Sequence, residues 1–420
     1  MRASETIDVA LTRLARDDGP RVLSVLASRF GDLDLADDAV QDALVDATRT
    51  WPRDGVPGNP GGWLMTAARN RATDRLRKQA SAERRLAGSG VELLERSVPA
   101  DAGGTSMIEN ADESSQPEDE RLRLMLLCCH PALGGDAQVA LTLRLVAGLT
   151  TEEIAAAFLV PPATMAQRIV RAKRKIRSAA IPMSMPEQLD DRLGILLDTL
   201  YLVFNEGYLA HGGEHEPIRG ELMSEALRLT RLLVTLSDRH PEVLGLLAIE
   251  LFARSRTDAR TDVGHELVLL EDQDRTTWDL ADINEANAAL ADAMGRMQPG
   301  PYQVQALIGS YHANARTAAE TDWPAIVGLY AQLDAMLSSP VVALNHAVAV
   351  AMADGPLHGL KLLDRLEGLD DYHLYWSAKA ELMVRAGRHA EAVPSFERAL
   401  ELATNEAERA HLTKRLTEVG

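Results

Sequence analysis

Residues 150–177 read TTEEIAAAFLVPPATMAQRIVRAKRKIR. Thr150 or Thr151 stands where it can cap a helix. Glu152 and Glu153 follow in the first turn, where carboxylates meet the positive end of the helix dipole. Ile154 and Ala155 turn inward, and Ala155 is small enough for a second helix to cross it. Val160 and Pro161 form a turn. A second helix then opens near Thr164 and buries Ile169 and Ile176. Its other face carries Gln167, Arg168, Arg171, Lys173, Arg174, Lys175 and Arg177. This is the layout of a helix-turn-helix. A polar N-terminal turn can meet base edges, and the cations beyond it can clasp phosphates. The plainer alternative is a solvated basic helix.

Upstream, WLMTAARNRATDRLRKQ (63–79) is a second basic helix. Trp63, Leu64, Ala67 and Ala68 form its apolar face, and Arg69, Asn70, Arg71, Arg75, Arg77 and Lys78 fill the rest. Before it, DLADDAVQDALVDA (34–47) is an acidic amphipathic helix, with Asp37, Asp38, Gln41 and Asp42 clustered. The segment PRDGVPGNPGG (52–62) between them is expected to be irregular, because Pro and Gly punctuate it. Residues 86–117, rich in Gly, Ser, Asp and Glu, read as a flexible acidic linker. Beyond Pro182 and Pro186 the chain continues as successive amphipathic helices. No segment shows convincing strand alternation, and scarce aromatics with abundant Ala and Leu favour helices. The fold class expected is all-α.

Charge follows the same division. The formal net charge is −18 over 420 residues. Residues 181–420 hold 37 acidic and 20 basic side chains, whereas residues 1–180 hold 25 and 24. Within the front part, residues 101–120 carry seven acids and no Lys or Arg, so the remainder is net basic. A basic front that meets nucleic acid and an acidic rear that does not is the simplest reading. No apolar run is long enough to span a bilayer, and the N-terminus lacks a signal-peptide pattern. A cytoplasmic protein without membrane contact is expected. The adjacent Cys128 and Cys129 have neither bridge geometry nor structural-zinc spacing, and they read as packing thiols.

Taken in order, the acidic D-D-A-V-Q-D-A helix, the Pro/Gly break, the W-L-x-x-x-A-R-N-R-x-x-D-R-L-R helix, the linker and the helix-turn-helix resemble the extracytoplasmic-function (ECF) sigma factors of bacteria over roughly residues 1–180. The resemblance implies sigma region 2 in 1–85, the linker in 86–117 and sigma region 4 in 118–180. It implies two partners, core RNA polymerase and promoter DNA. By the same resemblance, Asp38, Gln41, Asp42 and Leu44 contact the polymerase. Arg69, Asn70, Asp74, Arg75 and Arg77 serve the −10 element, with Trp63 packing. Thr164, Gln167, Arg168, Arg171 and Arg174 read the −35 element. The chain departs from the family at Leu159, where Gly is common, at Ala163, where a Gly precedes the Thr, and at Ala166, where a basic residue is common.

Residues 187–420 resemble the helical extension of one ECF subgroup, in the stretches LYLVFNEGY (200–208), LVLLEDQDRTTWD (267–279) and VALNHAVAVA (342–351). Towards 341–410, Trp376, Ala380, Gly387, Ala392, Phe396 and Ala399 follow tetratricopeptide spacing. Glu206, His211, His215 and Glu216 lack the helical histidine pair of a metalloprotease. Asp272, Asp274 and Arg275 read as a capping or ion-pair cluster. No phosphate loop or nucleophile elbow occurs, so neither a metal, a cofactor nor an enzyme is expected. The expected function is promoter-specific transcription initiation, with the acidic rear part acting in cis on the sigma regions. The alternative is a stand-alone helix-turn-helix regulator with a tetratricopeptide-like sensor domain.

Overall fold

The computed structural model describes residues 2–88, 117–158, 160–184, 189–209, 216–260, 268–403 and 406–419. Among them every regular element is helical. The chain divides into two compact units, Met1–Thr199 and Leu200–Gly420. The expected linker lies almost wholly outside the described residues, as do Leu159, Pro186, His211 and His215.

In the front unit, α1 (Arg2–Arg13) runs through a widened turn, Leu14–Asp18, into α2 (Gly19–Phe30). Gly31, at φ 65°, closes α2 in a left-handed conformation that favours glycine. Asp32 then caps α3 (Leu33–Asp54), its Oδ1 accepting from the amides of Asp34 and Leu35 at 3.0 Å each. Helix α3 outruns its sequence expectation and carries Pro52 within its last turn. Helix α4 (Pro60–Gly88) likewise begins inside the Pro/Gly segment, because proline at the first helical position has no amide to leave unbonded. Leu64, Ala68 and Ala72 of α4 are fully buried, and they lie four residues apart on one stripe. Trp63 meets the buried Trp51 edge-on, with ring centroids 5.5 Å apart.

Helices α5 (Pro117–Cys128) and α6 (Gly135–Leu141) lead through a second widened turn, Thr142–Val146, to α7 (Thr151–Ala157) and α8 (Pro162–Ser178). Helix α5 packs on α2, so the two parts of the front unit share a core. Cys128 and Cys129 are buried free thiols in that core, and burial pushes both up from their ordinary pKa.

Helix α9 (Leu189–Leu209) crosses the division between the units. The rear unit continues with α10 (Glu216–Leu236), α11 (Pro241–Arg254), α12 (Leu280–Gly295), α13 (Pro301–Asn314), α14 (Trp323–Leu337), α15 (Pro340–Asp354), α16 (Pro356–Leu363), α17 (His373–Arg385), α18 (His389–Leu402) and α19 (Glu406–Val419). Neighbours in sequence pack as neighbours in space. Polar clasps fix some of them. Arg254 of α11 grips Asp282 of α12 through both nitrogens of its fork. The Glu242 carboxylate accepts from the Tyr302 and Gln303 amides at the start of α13. Ala380, Ala392, Phe396 and Ala399 form one buried cluster between α17 and α18, with Trp376 packed against it. Small residues there let the helices close on the phenyl ring. Asp274 caps a short turn by accepting from the Thr276 amide at 2.9 Å, and Arg275 bonds the carbonyls of His312 and Ala315 rather than an acid. No described helix is long and apolar enough to cross a membrane.

Candidate nucleic-acid interface

Thr150 is the residue that caps α7. Its hydroxyl accepts from the Glu153 amide at 3.1 Å, and the Glu153 carboxylate accepts from the Thr150 amide at 2.7 Å. Burial would raise the Glu153 carboxyl, but these bonds and the Arg16 guanidinium outweigh it and hold the group below the ordinary range. Ile154 and Ala155 are fully buried. Helix α8 follows from Pro161, whose carbonyl accepts from the Thr164 and Met165 amides.

Helix α8 has two opposed sides. Met165, Ile169, Ala172 and Ile176 are buried, at intervals of three and four residues. Each large member contributes about 1.5–3 kcal/mol by leaving water. Thr164, Gln167, Arg171 and Arg174 are exposed on the other side. Arg168 is half-buried and pairs with the exposed Asp136 at 3.3 Å. Lys173 departs from the exposed face assigned to it by periodicity. Its ammonium pairs with the buried Asp37 of α3 and stands 3.8 Å from Asp34. Arg177, although exposed, also pairs with Asp34.

On α4, Arg69, Asn70, Asp74 and Arg77 are exposed. Arg75 is instead held against α3, bonded to Asp38 and, at 2.7 Å, to Asp42. Arg71 reaches Asp46 of α3 at 2.5 Å. Gln41 and Leu44 are half-buried and line a small cavity of about 80 Å³ with Arg144, Leu145, Gly148 and Thr150. The residues expected to meet the polymerase therefore fall into two groups. Asp38 and Asp42 face α4, whereas Gln41 and Leu44 face the start of the helix-turn-helix. Arg16 adds a further link, to Glu153 at 3.1 Å. Gly148, at φ 76°, lies so close to α1 and its turn that a Cβ would stand 2.8 Å from the Ala15 carbonyl oxygen.

Sequence reading missed Asp37 as a buried partner. Its position, one residue after Ala36 and three before Val40, both buried, carried the signal. What periodicity could not supply was the identity of the cation, 136 residues away.

Residues 14–82 match the Sigma-70 region 2 family, and residues 123–176 match the Sigma-70, region 4 family. Over 160 residues the chain is 31% identical to the ECF RNA polymerase sigma-E factor of Escherichia coli, an alignment spanning 38% of this chain and 80% of that protein. The chain belongs to the ECF sigma factors. The sigma-E factor of Salmonella typhimurium is 31% identical over the same extent. As a sigma factor the chain is a DNA-binding protein of transcription initiation, and the stand-alone regulator reading falls away. The family also carries an addition here: residues 192–294 match a family of unknown function, DUF6596. An uncharacterised protein of Rhizobium meliloti is 41% identical over 413 residues, covering 98% of this chain and 95% of that protein, so the addition recurs there with the sigma regions.

Proposed function

We propose that this ECF sigma factor binds core RNA polymerase and directs it to promoters through two elements. Arg69, Asn70, Asp74, Arg75 and Arg77 on α4 serve the −10 element. Thr164, Gln167, Arg168, Arg171 and Arg174 on α8 read the −35 element in the major groove. Asp38, Gln41, Asp42 and Leu44 on α3 dock on the polymerase. The observation that carries the reading is the two-sidedness of α8, with an apolar stripe on one side and Thr164, Gln167, Arg171 and Arg174 in solvent on the other. The acidic rear part acts in cis on the sigma regions. Its support is charge complementarity, a rear part of net −17 tethered to a front whose residues outside 101–120 are net basic.

The test is promoter binding and run-off transcription by full-length protein carrying Arg171→Ala or Arg174→Ala. Loss of about 1–3 kcal/mol of promoter affinity is expected for a base-contacting arginine. Wild-type affinity in both variants would remove the assignment of α8. A chain ending after Thr199 tests the rear part. Activity and polymerase affinity equal to full length would leave the cis role without support.

A further inference from the structure

Three stretches of the rear unit stand out in sequence, LYLVFNEGY, LVLLEDQDRTTWD and VALNHAVAVA, and all three contribute to one cavity. Phe204, Asn205 and Tyr208 come from the first, Trp278 from the second and Asn345 from the third. On α9 the lining residues Tyr201, Phe204, Asn205 and Tyr208 follow the three-and-four spacing of a single helical stripe. Residues of α11, α13 and α14 complete the wall, with Phe252, His312 and Tyr330 among them; Arg256 lies just past the end of α11. The cavity measures about 440 Å³, within the range of small-molecule sites.

Its chemistry differs from that of the unit around it. Residues 181–420 carry a net charge of −17, yet among the described residues no Asp, Glu or Lys lines the cavity. Among the described residues, the one charged side chain that lines it is Arg256, half-buried. No carboxylate among the described residues pairs with it, and its guanidinium instead lies 5.5 Å from the centre of the Tyr208 ring. Two further polar atoms are buried without a hydrogen-bond partner among the described residues, Trp278 Nε1 and His312 Nδ1. Trp278 is 4% exposed. Both atoms are closed to solvent, so they belong to the packed wall and not to the open space of the cavity. Burial, with Arg256 and Arg275 nearby, lowers His312 to about 4, so the ring is neutral at physiological pH and adds no second charge.

We propose that this cavity is a binding site for a small planar organic acid, its ring held among Phe204, Phe252 and Trp278 and its carboxylate on Arg256. An arginine fork matches a carboxylate through two parallel hydrogen bonds, and flat aromatic walls favour a flat apolar body. The site stands on the rear unit alone and does not depend on how the sigma regions are assigned.

The experiment is calorimetric titration of the full-length chain with benzoate and naphthoate, each compared with its uncharged amide. Saturable binding of one acid per chain is expected, with the amide weaker by about tenfold or more, as loss of a charge-assisted bidentate contact implies. Arg256→Gln should bring the acid down to the affinity of the amide. Arg256→Lys, which keeps the charge but not the fork, should fall between. The comparison of acid with amide on the unaltered protein decides the matter even if a variant folds poorly. Failure of both acids to saturate at millimolar concentration overturns the proposal, as does equal affinity for acid and amide. Undiminished acid binding by a folded Arg256→Gln variant overturns it too.

Discussion

Helix α3 presents acids on two sides, and each side meets a different basic helix. Towards α4, Asp38, Asp42 and Asp46 hold Arg75 and Arg71 in a seam open to water, where the Asp38 side chain is 62% exposed. Towards α8, Asp34 and Asp37 hold Lys173 and Arg177, and here the Asp37 and Lys173 side chains are only 10% and 14% exposed. The first seam joins consecutive helices of region 2, and the second joins region 2 to region 4. Solvated pairs contribute little, because water and salt screen them and long side chains lose freedom in making them. A desolvated pair also adds little net stability, but removing one partner leaves a charge stranded. The two seams look alike on a contact map, yet they should respond very differently to the loss of a single charge.

The largest effect is expected beside the second seam, where the loop before α7 is pinned sterically against the turn Leu14–Asp18. Gly148→Val combines a β-branched side chain at φ 76° with a contact against the Ala15 backbone. Left-handed strain and overpacking together should cost the front unit about 2–5 kcal/mol, measured by urea denaturation. Wild-type stability would mean that the loop is not held against the turn that follows α1. Next comes Lys173→Met, which strands the Asp37 carboxylate and should cost about 2–3 kcal/mol, with most of it recovered on adding Asp37→Asn. If the double variant is no better than the single, the pair is not the source of the loss. Smallest is Arg75→Ala in the first seam, at about 1 kcal/mol or less despite two carboxylate partners. A loss as large as that of Lys173→Met would erase the distinction drawn between the seams.

Much of this architecture was legible in the sequence because it is written in local periods. The α8 stripe of Ile169 and Ile176, the α4 stripe through Leu64 and Ala68, the threonine cap and acidic first turn of α7 and the Ala380–Phe396 cluster all recur at helical spacing or at fixed offsets. The proline-rich joint between α3 and α4 proved shorter than its composition suggested, since Pro60 serves as a helix start and Pro52 is tolerated in a last turn. What stayed hidden depends on residues far apart in the chain. Asp37 and Lys173 have no local mark of partnership. The rear cavity draws its wall from several helices, and Arg256 stands out only once the acids of that unit are seen to lie elsewhere.

The second seam also bears on how ions take part in promoter binding. A free cation on a DNA-reading helix displaces a condensed counterion when it reaches a phosphate, and that release is a large share of the driving force. Lys173 and Arg177 are already paired, with Asp37 and Asp34 of α3. A phosphate arriving at either position would have to displace a carboxylate of the same chain, not water and small ions alone. Region 2 thus supplies the carboxylates that neutralise two cations of α8, and the proposed −35 contact is left to the side chains of α8 that stand in solvent.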